Sequence, residues 1–153
     1  MDEAKMRLAA LLDEAVRVDK VARGNIQAFD PESKTLKIVC HLGFGDEFLR
    51  HFETVRPSGP SACGRAFGSA DCVVIPDVEN DEAFRPHREI ARISGFRSVK
   101  SVPVKDAAGR LLGVLSTHSV NVRHDWERDS THPVAADIAA ILATLPMNRN
   151  TRG

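Results

Sequence analysis

Tyrosine is absent from the sequence, tryptophan occurs once, and neither sign of charge is in excess, since 21 lysines and arginines balance 21 aspartates and glutamates. Proteins that bind nucleic acids generally carry a basic excess, and those that bind single strands stack bases on aromatic rings. A nucleic-acid partner is therefore disfavoured.

No apolar run reaches the roughly 18 residues of a membrane span, and the acidic start at Asp2 and Glu3 is not that of a secretory signal. We expect a cytoplasmic domain without membrane insertion.

Cysteine is also scarce. Cys40, Cys63 and Cys72 form no Cys-x-x-Cys pair, and their odd number leaves one thiol unpaired in any disulfide scheme. Reduced thiols in a reducing compartment are therefore expected. The six histidines are scattered and form no His-Glu-x-x-His motif, so no metal site is predicted.

The chain of 153 residues has the length of one ordinary domain. Hydrophobic periodicity and the placement of glycine and proline divide it into short elements. The predicted helices cover residues 3–22, 46–55, 61–67, 80–94 and about 126–145, and the predicted strands cover residues 25–29, 34–41, 73–75, 96–105 and 110–120. Two turns join consecutive strands as hairpins. This order predicts an α+β domain with a mainly antiparallel sheet, followed by a flexible tail at 147–153.

The two terminal helices each carry an apolar stripe with spacings of three and four residues. The positions concerned are Leu8, Leu11, Ala15 and Val18 in the first helix and Ile138, Ile141 and Leu145 in the last. Such a stripe packs either on its own domain or against a helix of a second chain. A homodimer held by these residues is therefore expected. Pro133 should kink the last helix or mark its true start, because proline cannot donate a backbone hydrogen bond.

Several segments, taken as a set, resemble the GAF domain, a ligand-sensing relative of the PAS fold. They are GNIQAFD at 24–30, GFGDEFLRHF at 43–52, SACGRAF at 61–67, VVIPDVENDEAF at 73–84 and GFRSVKSVPVKDAAGRLLGVLSTH at 95–118. The resemblance implies a single GAF domain over residues 1–146. It also implies a central antiparallel sheet of five or six strands flanked by helices, with the N- and C-terminal helices packed together.

The same segments are similar to GAF modules of bacterial sensor histidine kinases and related two-component signalling proteins. The resemblance implies a non-catalytic module that senses a small molecule and signals through its terminal helices to a kinase or effector domain. No bilin, haem or cyclic-nucleotide signature is found, so no cofactor is assigned. A ligand-free GAF fold that serves only as a dimerisation module is an alternative of a different class.

An enzyme is the other alternative, because one GAF family reduces free methionine-R-sulfoxide with cysteine chemistry. Ala62-Cys63-Gly64 matches the helix start in that family's pattern, and Pro76-Asp77-Val78 matches its second segment. The attacking cysteine of the third segment has no counterpart in residues 84–88. Because the sulfoxide must be attacked by a thiolate, the reductase is disfavoured and the domain itself is expected to be no enzyme.

Four strand residues are candidates for a ligand pocket between the sheet and the short helices. Asn25 and Gln27 share one face of their strand, and so do Ser116 and His118. If these faces line a cavity, they supply hydrogen-bond donors and acceptors for a small polar ligand.

Two further candidates carry reactivity or charge. Cys63 stands at a helix start with Arg65 nearby, so it is either a thiol with a lowered pKa or a small apolar contact between helix and sheet. Arg97 could neutralise an anionic ligand. Lys100 could do the same, but strand alternation places it on the face opposite Arg97, so only one of them can point into a given pocket.

Overall fold

The computed structural model describes residues 2–129 and 131–146, which form a five-stranded antiparallel sheet with helices on both faces. The strands are β1 (Arg23–Asp30), β2 (Thr35–Leu42), β3 (Val73–Ile75), β4 (Ser98–Lys105) and β5 (Leu111–Ser119), in the spatial order β2-β1-β5-β4-β3. The helices are α1 (Glu3–Asp19), α2 (Asp46–His51), α3 (Ala62–Ser69), α4 (Arg88–Ser94) and α5 (Ala135–Leu142), with 3-10 helices at Val78–Asn80 and Glu82–His87. The predicted α+β class and antiparallel sheet are confirmed.

Both predicted hairpins are present, and β1 and β5 join them at the centre of the sheet. Pro103, which cannot donate to a strand ladder, lies opposite Val114 of β5. It also lies beyond the stretch of β4 that pairs with β3, which covers residues 99–101. This part of β4 is therefore a local edge, which is the position in a sheet that proline tolerates.

The sheet separates two hydrophobic cores, because side chains along a strand alternate between its faces. On one face α1 and α5 pack on residues such as Ile26, Val104 and Leu115. On the other face α2, α3, α4 and the 3-10 helices cover a core that contains Phe48 and Val114. None of the helices in the described part of the chain combines the length and the apolar character that a bilayer span requires.

The first helix ends three residues earlier than predicted. Lys20 takes the left-handed conformation with φ of 61°, and the Val21 N–H donates to the Val16 carbonyl. This is a Schellman-type end, which turns the chain away from the helix axis and toward β1 at Arg23. The predicted helix over residues 3–22 is therefore corrected to Glu3–Asp19.

The last helix is much shorter than the predicted range of about 126–145. It begins at Ala135, two residues after Pro133, so the proline marks the approach to the helix and produces no kink. Trp126 is anchored by its side chain instead, since its buried indole N–H donates to Ser98 Oγ at 2.6 Å. The predicted tail at 147–153 lies outside the described residues.

The terminal helices contact each other, and most of the residues predicted for a dimer contact are used within the chain. Leu8, Ala15, Ile138 and Ile141 are buried between the helices and the sheet, Leu11 and Leu145 are half-buried beside them, and Val18 is 42% exposed. The homodimer stays a prediction. Of the two stripes, Val18 is the residue that this packing leaves open to a second chain.

Candidate ligand-binding site

A small cavity lies between the sheet and the layer formed by α2, α3 and the 3-10 helices. The sheet supplies Asn25, Val99, Ser101, Ser116 and His118, and the covering layer supplies Phe48, Phe52, Ala62, Cys63, Phe84 and Phe96. The space open to the centre of a water molecule is about 20 Å³, which is room for roughly one water. Among the described residues that line it, none is acidic and none is a lysine or an arginine.

Strand register brings the polar residues of the floor together. Asn25 of β1 lies opposite Ser116 of β5, and Ser116 lies opposite Ser101 of β4. The two serine hydroxyls are 2.6 Å apart and hydrogen-bond each other. His118, two residues along β5, projects from the same face. The sequence prediction for Asn25, Ser116 and His118 therefore corresponds to one continuous polar patch.

Three buried polar atoms on this face have no hydrogen-bond partner among the described residues: Asn25 Oδ1, Gln27 Oε1 and His118 Nδ1. Leaving a buried acceptor unpaired costs about 1–3 kcal/mol, so native proteins rarely collect several at one place. Gln27 does not line the cavity itself; it lies next to it on β1 and contacts the Cys63 thiol. Two amide oxygens that require donors, and a ring nitrogen that donates or accepts according to its tautomer, thus lie on the same side of the sheet.

His118 is neutral at physiological pH. Burial lowers the pKa of His118 to about 3, and the nearby Arg23 adds to this effect. The rings of Phe44, Phe48 and Phe96 lie around the imidazole, with centroids 4.9, 5.8 and 4.7 Å from its own. An imidazole held neutral in an aromatic surround can accept or donate one hydrogen bond without bringing charge into the cavity.

Aromatic residues from α2 and from the 3-10 helix Glu82–His87 form the roof of the cavity. A contact between two histidines, one from each element, connects them. Phe48 and Phe52 come from α2 and its end, and Phe84 comes from the 3-10 helix Glu82–His87. His51 Nε2 and His87 Nδ1 lie 2.8 Å apart, so one ring donates to the other. Burial, with His51 as the next cause, lowers the pKa of His87 to about 4, which keeps this contact between two neutral rings at pH 7.

Cys63 lines the cavity, but it is not activated. It is the second residue of α3, whose start is capped by Ser61, and its Sγ lies 3.3 Å from the Ser61 Oγ. Burial raises the pKa of the Cys63 thiol, against weaker opposing effects from the hydrogen bonds with Ser61 and Gln27. Arg65 points elsewhere, since its guanidinium binds Asp81 at 2.9 Å. Of the two interpretations open from the sequence, the structure supports the small, buried contact.

We therefore expect Cys63 to be the slowest of the three thiols to react with iodoacetamide at pH 8, by at least about tenfold. Cys40 and Cys72 are half-buried and serve as internal controls in the same sample. Mass spectrometry of peptides from a time course gives the three rates. Labelling of Cys63 as fast as Cys72 in the folded chain would contradict this description of the thiol.

Arg97 is placed outside the cavity. Its guanidinium binds the Asp77 carboxylate through contacts of 2.9 and 3.0 Å, and this ion pair closes the loop before Val78. Burial acts to raise the pKa of Asp77, but the hydrogen bonds from Arg97 and from the Glu79 N–H outweigh it, so the pKa of Asp77 lies below its ordinary value.

Within residues 2–129 and 131–146, no three histidine, cysteine or acidic side chains converge on a possible metal position.

Two groups of residues were missed by the sequence interpretation. Ser101 was not named as a candidate, although alternation with Val99 places it on the cavity face. Phe96 begins its predicted strand, and Phe84 lies in the predicted helix over 80–94, which the structure replaces with a 3-10 helix at Glu82–His87 before α4. No periodic pattern indicated which way either aromatic residue would turn.

Comparison with known proteins identifies the family to which this fold corresponds. The model of the GAF domain family matches residues 6–144. Comparison with curated proteins gives no match. Among solved structures, a domain of a two-component sensor histidine kinase protein from Sinorhizobium meliloti 1021 superposes with a TM-score of 0.75 at 17% identity, and each chain is covered completely.

Two other solved structures show how widely this fold is used. Free methionine-R-sulfoxide reductase from Neisseria meningitidis has a TM-score of 0.63 at 21% identity, covering 98% of this chain and 83% of that one. The GAF domain of an Acinetobacter phosphoenolpyruvate-protein phosphotransferase has a TM-score of 0.66 at 16% identity, covering 89% of this chain and 79% of the other. At such identities the similarity concerns the fold alone.

Proposed function

The chain belongs to the GAF domain family, and on that premise we propose that it is a regulatory module that binds a small, uncharged polar molecule in the cavity above Asn25 and His118. The observation that carries the proposal is the group of unpaired polar atoms beneath an aromatic roof. We further propose that the module serves bacterial signal transduction, as the sensor part of a two-component histidine kinase with a kinase or effector domain as its partner.

The chemistry of the lining limits the ligand. Asn25 Oδ1 lines the cavity and can only accept hydrogen bonds, as can Gln27 Oε1 beside the cavity, so the ligand must present an N–H or O–H donor. His118 stays neutral, and the lining contains no ionised side chain to balance a charge. A buried ion without a partner is costly, so a neutral ligand is favoured over a carboxylate, a phosphate or an ammonium ion. The phenylalanine rings of the roof favour a ligand that has a flat ring or an apolar part to pack against them.

Ligand binding requires the roof to move, because the present cavity holds only about one water. The His51–His87 contact joins α2 to the 3-10 helix over the cavity, so separation of these elements would open the roof. The floor strands β1 and β5 also carry α1 and α5 on their other face. A ligand that favours one arrangement of the sheet would thereby shift the packing of the terminal helices, provided its affinity differs between the two arrangements.

A reductase is the weaker second candidate. The similarity in fold to free methionine-R-sulfoxide reductase is the observation in favour of this function. Against it, Cys63 is the one cysteine in the lining of the cavity, its pKa is raised by burial, and Phe84 occupies the segment where the resemblance would place an attacking thiol. Catalysis through a thiolate needs the opposite shift in pKa.

The proposal is tested by native mass spectrometry of freshly purified protein, with no ligand added. We expect an extra mass on the wild-type chain, its loss in the Asn25→Leu/His118→Leu double variant, and its retention in His124→Leu, which replaces an exposed histidine. The same spectrum gives the oligomeric state. A wild-type chain without added mass, or an added mass that persists in the double variant, would count against the proposed site.

A further inference from the structure

A second, larger cavity lies on the opposite face of the sheet, beside the end of α1. Its lining comprises Val18, Asp19, Lys100, Arg123, Trp126, Glu127, Asp129, Thr131, His132 and Pro133, and about 460 Å³ is open to the centre of a water molecule. This space shares no lining residue with the cavity above Asn25. Lys100 and Ser101 are consecutive in β4, so their side chains project to opposite faces and separate the two cavities.

Lys100 is the unusual member of this lining. Only 3% of the residue is exposed, and its side chain makes no hydrogen bond and no ion pair with any described residue. Asp19 attracts it through space, yet that carboxylate lies too far away for an ion pair and is occupied by other donors. The Lys100 Nζ atom is not among the fully buried atoms that lack a partner, so the ammonium group reaches the open space of the cavity. A lysine whose side chain is packed this deeply is rarely left without an acceptor.

The neighbouring polar groups are already engaged with one another. Asp19 accepts from Thr117 Oγ1 at 2.8 Å and contacts His132 Nε2 at 3.1 Å. The His132 Nδ1 accepts from the Val134 N–H, which leaves the proton on Nε2, pointing at Asp19. The hydrogen bonds among Asp19, Thr117 and His132 thus form a network in which the neighbouring Lys100 side chain takes no part.

Arg123 is held as well. It stacks over Trp126 at 4.1 Å from the ring centroid, binds Asp125 and donates to the Asp19 carbonyl. Among the described residues of this lining, Lys100 is therefore the cation whose side chain has no hydrogen-bonded or ionic partner to compete with a ligand.

We propose that this cavity is a second binding site, which takes a small organic monocarboxylate with its carboxylate on the Lys100 ammonium group. Glu127 and Asp129 are exposed side chains of the lining, and their negative charge disfavours dianions such as succinate or phosphate. Val18 and Pro133 add apolar wall that suits a short alkyl chain. The site lies where the end of α1 meets the segment before α5, so its occupancy would act on the terminal helices from the side opposite the first ligand.

The test uses butyrate as the probe and butyramide as its uncharged counterpart. Trp126 is the single tryptophan and lines the site, so its indole N–H resonance reports binding directly. We expect saturable shifts of that resonance with a dissociation constant on the order of 1 mM for so small a ligand. Butyramide and succinate should bind at least about tenfold more weakly, because the amide lacks the charge and the dianion meets the acidic rim.

Variants then assign the interaction to Lys100. Lys100→Met should abolish butyrate binding while the chain still folds, and Lys105→Met, at an exposed position at the end of the same strand, should leave binding unchanged. Equal binding of butyrate and butyramide to the wild type, undiminished binding to Lys100→Met, or no saturation of the Trp126 shifts at about 50 mM butyrate would each overturn the proposal. The butyrate comparison needs no variant, so it decides the matter even if Lys100→Met fails to fold. Resonances of Asn25 and Gln27 report the other cavity and keep the two proposals separate.

Discussion

Replacement of Asp19 by alanine is expected to lower the free energy of unfolding by about 3 kcal/mol. Asp19 ends α1, and its carboxylate holds Thr117 of β5 and His132 of the segment before α5. Removing it leaves two buried donors without an acceptor, and it disconnects three elements that are distant in sequence. Urea unfolding at pH 7, followed by circular dichroism, measures the change.

The matched control is Asp13→Ala, which removes an exposed aspartate from the same helix. It should change the free energy of unfolding by no more than about 0.5 kcal/mol. Asp19→Asn should fall between the two, because the amide keeps one acceptor but presents an N–H₂ group to groups that are themselves donors. Equal stability of Asp19→Ala and Asp13→Ala would show that this buried network contributes little.

Acidification from pH 7 to pH 5 should lower the free energy of unfolding by about 2 kcal/mol through His118 alone. The unfolded imidazole takes up a proton near its ordinary pKa of 6.5, whereas the folded one does so only near 3. Between these values the unfolded state binds more protons, so stability falls as the pH falls. The loss begins below about pH 6.5 and is complete near pH 3.

The His118→Leu variant isolates this contribution, because it keeps an apolar side chain of similar size in the aromatic surround. Its loss of stability between pH 7 and pH 5 should be smaller than that of the wild type by about 2 kcal/mol. His124→Leu, at an exposed position, should retain the wild-type dependence. Paired urea titrations at the two pH values give both differences. An unchanged slope in His118→Leu would mean that His118 is protonated in the folded chain.

Patterns of period two indicated part of the cavity floor, namely Asn25, Ser116 and His118, but not Val99 or Ser101. Asn25 and Ser116 were assigned to one face of their strands because polar and apolar residues alternate there, and register then places them opposite each other. The same reasoning separated Arg97 from Lys100, and Lys100 indeed faces the second cavity. Strand alternation is a local property, so it can be read from a short stretch of sequence.

Helix ends and long-range partners could not be predicted in this way. The apolar residues of 134–145 continue a helical pattern, but Trp126 and His132 leave that pattern because Ser98 and Asp19 offer them buried hydrogen bonds. Those partners are 28 and 113 residues away in sequence. Tertiary hydrogen bonds of this range override local propensity and have no local signature.

The direction in which the pKa of Cys63 is shifted could not be predicted for a similar reason. A helix start and a neighbouring arginine favour a thiolate, but the side chain is buried and Arg65 turns to Asp81. The sequence contains both the activating and the inactivating features, and only the packing of α3 on the sheet decides between them.

The most direct test of the proposed sensing site is a ¹H–¹⁵N NMR titration with small uncharged fragments, starting with acetamide, imidazole and benzamide, and with benzoate as the charged counterpart of benzamide. We predict that uncharged fragments shift the side-chain amides of Asn25 and Gln27 and the backbone resonances of the neighbouring strand residues, and that the shifts of the Gln27 amide and of those backbone resonances vanish in the Asn25→Leu/His118→Leu variant. Benzoate should leave these resonances unmoved. Shifts scattered over the surface, or shifts at the cavity that survive the double substitution, would contradict the assignment of this cavity as the ligand site.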